Sequence, residues 1–225
     1  MKTLNVVVLI SGSGTNLQAL IDGQQDGSLP INIKAVVSNR PDVKGLERAR
    51  QAGIDAITLD HKRFESREAF DQALIKAIDN YRPELIVLAG FMRILTPEFT
   101  HHYLGRMMNI HPSLLPKYPG LHTHQRALEA GDSCHGVTVH FVTEELDGGP
   151  PIVQAKVPII EGDDADSLAK RVQAQEHVIY PLAVDWFATG RLQLHNGKSM
   201  LDEKLLPASG HLIDTTADTV HNSTH

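Results

Sequence analysis

Four times between residues 4 and 103, an apolar run of strand length is followed by a longer stretch with helical spacing. The pairs are Val6–Ile10 with Leu17–Ile21, Ile33–Val37 with Gly45–Ala52, Ala56–Leu59 with Arg67–Tyr81, and Leu85–Ala89 with Pro97–Tyr103. Strands that are apolar throughout must be covered on both faces. Regular strand–helix alternation then demands a parallel sheet with helices on either side. The fold class is therefore α/β, with a Rossmann-like, mostly parallel sheet. In the third pair Phe70, Leu74, Ile75, Ile78 and Tyr81 share one helix face, and Ser66 stands at the N-cap. After about residue 105 the pattern changes. Arg106–Ile110 reads as one more strand and ends in a Pro-rich loop, His111–Gly120. Gly136–Val142 alternates, and Val153–Val157 can pair with it across an Asp-Gly-Gly-Pro-Pro turn. The C-terminal part should thus add antiparallel strands and a long helix, Ala165–Ala188, which Pro181 should break or kink. No linker divides the chain. Residues 1–200 are expected to form a single domain, and 201–225, ending in Thr, Asp, Asn and His, a partly disordered C-terminal tail.

Composition removes several classes of function. The 225 residues carry 21 basic and 27 acidic side chains, a net charge of −6, and no basic stripe interleaved with aromatics. Nucleic acid is not an expected partner. No apolar stretch reaches the roughly 18 residues of a membrane span. The N-terminal apolar run is short and lacks a small-residue cleavage site, so a cytoplasmic address is expected. A single cysteine, Cys134, rules out an internal disulfide. The thirteen histidines, among them His101, His102, His122, His124, His135 and His140, have neither cysteine support nor a His-Glu-x-x-His pattern. No metal is expected. Ser113 lies in no Gly-x-Ser-x-Gly elbow, Cys134 reads as an ordinary thiol, and Met92, Met107 and Met108 read as core.

Three stretches carry chemistry. Ser11-Gly-Ser-Gly-Thr-Asn16 sits between the first strand and the first helix. Small residues there let backbone N–H groups and the helix N-terminus meet an anion. A dinucleotide fingerprint would need a third glycine and an acidic residue after the second strand, which ends Ser38-Asn39-Arg40. A P-loop would need a lysine. A lone phosphate monoester fits better, against the plainer reading of a tight strand–helix turn. In Asn109-Ile-His111 the amide and the imidazole alternate onto one side of a strand. They would serve as oxyanion donor and proton carrier, although such a histidine can equally cap a loop. Asp147, before Gly148 and Gly149, is by itself a turn residue, but a carboxylate there could reach back to orient His111.

The stretches Ser11–Asn16, Ala89–Leu95, Asn109–His124, Gly136–Gly149 and Gln173–His177 together resemble the folate-dependent glycinamide ribonucleotide (GAR) formyltransferases. The resemblance runs from the first strand to about residue 190. It implies that Gly14, Thr15 and Asn16 hold the 5′-phosphate of GAR, and that Gln173 to Glu176 contact the rest of the ribonucleotide, Glu176 accepting from its ribose hydroxyls. It implies a 10-formyltetrahydrofolate site at Arg67, Met92, Arg93, Ile94, Leu95, Asn109, Thr143, Glu144, Glu145, Leu146 and Asp147. Asn109, His111 and Asp147 become the catalytic set, with direct attack of the GAR amine on the formyl carbon and no metal. The implied product is N-formyl-GAR for purine (IMP) synthesis, made by a monomer or homodimer. A cis bond is implied at Leu115–Pro116. The alternative is a 10-formyltetrahydrofolate hydrolase, for which the short lead before the first strand leaves no regulatory domain. A methionyl-tRNA formyltransferase would carry a basic C-terminal domain. A nicotinamide enzyme would carry the missing fingerprint. A non-catalytic binding protein has no reason to gather Asn109, His111 and Asp147.

Overall fold

A computed structural model describes residues 2–217. The N-terminal half follows the expected alternation: β1 (Leu4–Ile10), α1 (Thr15–Asp26), β2 (Ile31–Ser38), α2 (Lys44–Gln51), β3 (Asp55–Thr58), α3 (Arg67–Asp79), β4 (Leu85–Leu88), α4 (Pro97–His102) and β5 (Met107–His111). There follow α5 (Thr123–Glu129), β6 (Cys134–Phe141), β7 (Pro151–Pro158), α6 (Ala165–Ala188), β8 (Leu192–His195), β9 (Lys198–Leu201), β10 (Lys204–Leu205) and β11 (His211–Asp214). Eight strands make the main sheet in the order β11-β7-β6-β5-β4-β1-β2-β3, and β8, β9 and β10 form a small antiparallel sheet. From β3 to β5 the strands are parallel. β6 is antiparallel to both of its neighbours, and β11 returns parallel to β7.

The alternation of β1 divides the core in two. Val6, Val8 and Ile10 pack with Leu17 and Leu20 of α1, Leu46 of α2 and Ile179 of α6. Val7 and Leu9 pack with Phe70, Leu74 and Ile78 of α3 and Phe99 of α4. Each fully buried aliphatic side chain of this kind contributes roughly 1.5–3 kcal/mol of transfer free energy. Ser66 caps α3 as its position suggests, accepting from the Ala69 N–H at 3.1 Å.

Two expectations need correcting. Helix α6 runs through Pro181 without a break. A proline removes one backbone donor and leaves the rest of the ladder intact. The buried residues Ile179, Tyr180, Ala183 and Val184 anchor the turns on both sides of it. The domain boundary expected at residue 200 falls inside β9, and β11 hydrogen-bonds to β7 at the sheet edge. Backbone pairing orders this segment where apolar content is low. Residues 218–225 of the expected tail lie outside the described residues. The Leu115–Pro116 peptide is cis.

One side chain joins the α6 layer to the sheet beside its two central loops. The Tyr180 hydroxyl lies 2.7 Å from the Leu88 carbonyl and 3.1 Å from that of Met108. Burial pushes this phenol far above its usual range, so it stays a neutral donor. Leaving a buried acceptor without its donor costs about 1–3 kcal/mol. Tyr180→Phe should therefore lower unfolding free energy by about that amount in a urea titration, with the slope unchanged.

Candidate active site

β1 lies between β2 and β4. The chain leaves β1 over the α1 face and enters β4 from the α3 face, so the loops after β1 and β4 part company. Open α/β sheets bind ligands in the crevice that such a divergence leaves. Here it is a cleft of about 280 Å³, lined by residues 11–16, by Ala89, Gly90 and Met92, and by Arg40 after β2. Gly14 takes a left-handed φ of +73° at the start of α1, with no side-chain cap over the first turn. A Cβ on Gly14 would come within 2.8 Å of the Gly45 Cα. The Gly45 N–H donates to the Gly12 carbonyl at 3.0 Å. The glycines therefore let the loop lie directly on the start of α2. Arg48 also holds it, donating from Nε to the Ser13 carbonyl at 2.7 Å. Ser11 spans the floor of the cleft. Its hydroxyl donates to the Asn39 side chain and accepts from the Met92 N–H at 2.8 Å.

Packing of α6 beside α1 brings the remaining expected acceptor residues to this loop. Gln173 Nε2 donates to Thr15 Oγ1 at 3.2 Å, and Asn16 Nδ2 to Glu176 Oε2 at 2.9 Å. Asn16 Oδ1 is buried and unpartnered among the described residues. Burial raises the Glu176 carboxyl above the ordinary glutamate range, and the Asn16 bond offsets only part of that.

Asn109 and His111 lie on β5 with the parity of Met107, which packs on the α3 and α4 side of the sheet. The Asn109 amide makes no hydrogen bond among the described residues. His111 is only 6% exposed. Its Nε2 lies 2.8 Å from the Tyr118 carbonyl, which can only accept, so Nε2 carries a proton. Its Nδ1 lies 3.6 Å from Asp147 Oδ2. That distance is an electrostatic contact and not a hydrogen bond. The same Oδ2 accepts from the Gly120 N–H at 2.9 Å, which ties the two loops together. Asp147 has φ +52°, and a Cβ on Gly149 would strike the Phe141 carbonyl. The Asp-Gly-Gly turn is thus the means by which the carboxylate reaches the imidazole. Both ring nitrogens of His111 face acceptors.

The other histidines near this strand are held neutral. His124 Nδ1 and His135 Nε2 are 3.1 Å apart, and burial lowers His135 to about 4. His140, opposite Asn109 on β6, is fully buried and lowered for the same reason. Among the described residues no group of three or more His, Cys, Asp or Glu is placed to hold a metal ion.

Of the expected folate residues, Met92, Arg93, Ile94 and Leu95 follow β4 and Thr143, Glu144, Glu145, Leu146 and Asp147 follow β6, while Arg67 begins α3 and Asn109 lies on β5. Met92 is 56% exposed, Ile94 54% and Leu146 57%, so the reading of Met92 as core is corrected. Met107 and Met108 are fully buried, as that reading has it. The His101–Glu144 pair, 2.9 Å apart, joins α4 to the segment bearing Asp147. Arg93 stacks on Phe70 at 4.6 Å and buries an unpartnered Nε among the described residues. On the same helix as Phe70, Asp71 is buried and accepts from the Thr96 N–H at 2.7 Å, fixing the end of the 92–95 segment. Burial raises this carboxyl above its usual range, against the pull of Arg93 and Arg67. Arg48 and Asp71 are not singled out by any motif, because each acts through a contact far away in sequence.

Known proteins match this chain along most of its length. The family model described as "Formyl transferase" matches residues 4–184. The chain is 59% identical to the phosphoribosylglycinamide formyltransferase of Escherichia coli K12, over 94% of its own length and all of the relative's. It is 50% identical to the Haemophilus influenzae protein of the same name, over 92% of this chain and 97% of that one. The solved phosphoribosylglycinamide formyltransferase of Coxiella burnetii superposes with a TM-score of 0.90 at 55% identity, covering 94% of this chain and 99% of that one. An α/β sheet with these loops, matched along nearly its full length, makes this chain a member of the formyl transferase family, in its phosphoribosylglycinamide branch.

Proposed function

We propose that the chain transfers the formyl group of 10-formyltetrahydrofolate to the amine of 5-phosphoribosyl-glycinamide, giving N-formyl-GAR and tetrahydrofolate in purine synthesis. The observation that carries this reading is the 3.6 Å contact of His111 with Asp147, with Asn109 on the same side of β5. Gly14, Thr15 and Asn16 take the phosphate, and Gln173 and Glu176 take the ribose hydroxyls. The folate residues suit a flat heterocycle on apolar side chains, with backbone groups at its edge. Arg67 and Arg93 are suited to the carboxylates of its tail. The setting is cytoplasmic. The acceptor needs neither a nucleic acid nor a membrane.

In the reaction the GAR amine attacks the formyl carbon, and the carbonyl oxygen takes the electron pair. The Asn109 amide and the protonated His111 ring donate to that oxyanion. Asp147 keeps its charge beside Nδ1, which favours the imidazolium as negative charge develops. The bond from carbon to the folate nitrogen then breaks, and a proton lost by the amine is delivered to that nitrogen. Proton relay of this kind is commonly worth ~10²–10⁴ in rate. No covalent enzyme intermediate is required. A hydrolase would use the same three residues and have no use for the phosphate loop.

Formyl transfer followed by folate absorbance should depend on GAR, and His111→Ala should lower kcat by about 10²–10⁴. Folate release at an equal rate without GAR would point to hydrolysis instead. Asp147→Asn should lower kcat, because the carboxylate that faces Nδ1 of His111 is gone. An unchanged kcat would remove Asp147 from the mechanism. Glu176→Gln separates binding from stability. A carboxyl raised by burial stabilises the fold while protonated, and this is lost as pH rises through its folded titration. The glutamine variant should therefore melt higher than wild type at pH 8, by about 2–4 °C per kcal/mol relieved. That advantage should vanish towards pH 4, while KM for GAR rises and KM for folate does not. Equal melting at both pH values, or equal change in both KM values, would count against this placement.

A further inference from the structure

We infer that Arg40 is a further acceptor-binding residue, supplying the positive charge that faces the phosphate in the cleft after β1. This rests on the reading of residues 11–16 as the phosphate loop. A phosphate monoester carries about −1.5 to −2 charges at pH 7. The chain as a whole is negative, at −6, and repels it. Backbone N–H groups and a helix N-terminus supply only partial charges. Among the residues lining the cleft, Arg40 alone is charged.

Its setting fits that task. The backbone of Arg40 is fixed by the buried Ser38 hydroxyl, which accepts from its N–H at 3.1 Å and donates to its carbonyl at 2.7 Å. The neighbouring Asn39 side chain is bonded to Ser11, at the base of the glycine loop. The residue is therefore registered against the loop through two buried side chains, while its own side chain is exposed. Its guanidinium has no ion pair or hydrogen bond among the described residues. Other arginines are engaged: Arg171 with Asp163 at 2.6 Å, and Arg191 with Asp202 at 2.8 Å. The second arginine near the loop is committed to structure. Arg48 donates to the Ser13 carbonyl and, at 3.3 Å, to Gln18 Oε1. Arg48 shapes the loop, and Arg40 is left for the ligand. A guanidinium fork matches phosphate oxygens two at a time, which an ammonium does not.

The test pairs removal of the charge with removal of the phosphate. Steady-state rates would be measured on GAR and on its dephosphorylated riboside, for wild type, Arg40→Gln and Arg40→Lys. Arg40→Gln should lower kcat/KM for GAR by about ten- to a hundredfold, the range for a charge-assisted hydrogen bond. The loss should fall on GAR and not on the riboside, leave KM for the formyl donor alone, and be partly restored by Arg40→Lys. Wild-type KM for GAR should also rise more steeply with salt than that of Arg40→Gln. Equal losses on both acceptors would mean that Arg40 shapes the cleft, and no loss on GAR that it does not meet the phosphate. Either result overturns the assignment and leaves the loop reading intact. If wild type itself treats the two acceptors alike, the phosphate-loop reading falls, and Arg40 with it.

Discussion

Strand β1 is buried from Val6 to Ile10, and the placement of the cleft depends on where that burial stops. Inside the sheet its backbone groups are spent on β2 and β4. At Ser11 the neighbouring connections diverge, and polar backbone is no longer used up by a ladder. The chain makes use of that point twice. It turns the next helix so that its first amides look into the gap, and it sets the loop after β4 across from them. The cleft exists because the crossovers through α1 and α2 cover one face of the sheet and the crossover through α3 covers the other.

The proposed reacting centre belongs to a different part of the same sheet. β5 closes the parallel block, and β6 beside it runs the other way. β6 therefore ends beside the start of β5, and the loop after it folds back along the sheet far enough for the Gly120 N–H to reach the Asp147 carboxylate. His111 is consequently fixed from two sides, by a carbonyl of its own loop and a carboxylate of the next. The histidines packed behind it are kept uncharged by burial. What sets His111 apart from those buried rings is the Asp147 carboxylate, 3.6 Å from its Nδ1.

Much of this was legible in the residues alone. The five parallel strands announce themselves as apolar runs, and Ser66 marks the start of α3. Alternation alone puts Asn109 and His111 on one side of a strand. Asp147 is another matter: an Asp before two glycines is an ordinary turn, and only the fold shows which imidazole it meets. Pro181 misleads because a helix anchored by buried side chains on both flanks tolerates one missing donor. β11 misleads because an edge strand can be ordered by its backbone while its side chains look like those of a tail. Met92 reads as core by residue type, whereas its position in a loop over the cleft exposes it.

Ser11 has a consequence for how the cleft treats its guests. One hydroxyl is bonded to the wall after β2 and, through the Met92 N–H, to the wall after β4. It acts as a fixed spacer between two jaws. With the glycine loop seated on α2 as well, the gap resists both widening and closing at its floor. A gauge of set width selects by size, admitting small groups and rejecting bulk. Adaptation to differing ligands is left to the looser rim, where the exposed methionine and isoleucine can re-pack at little cost.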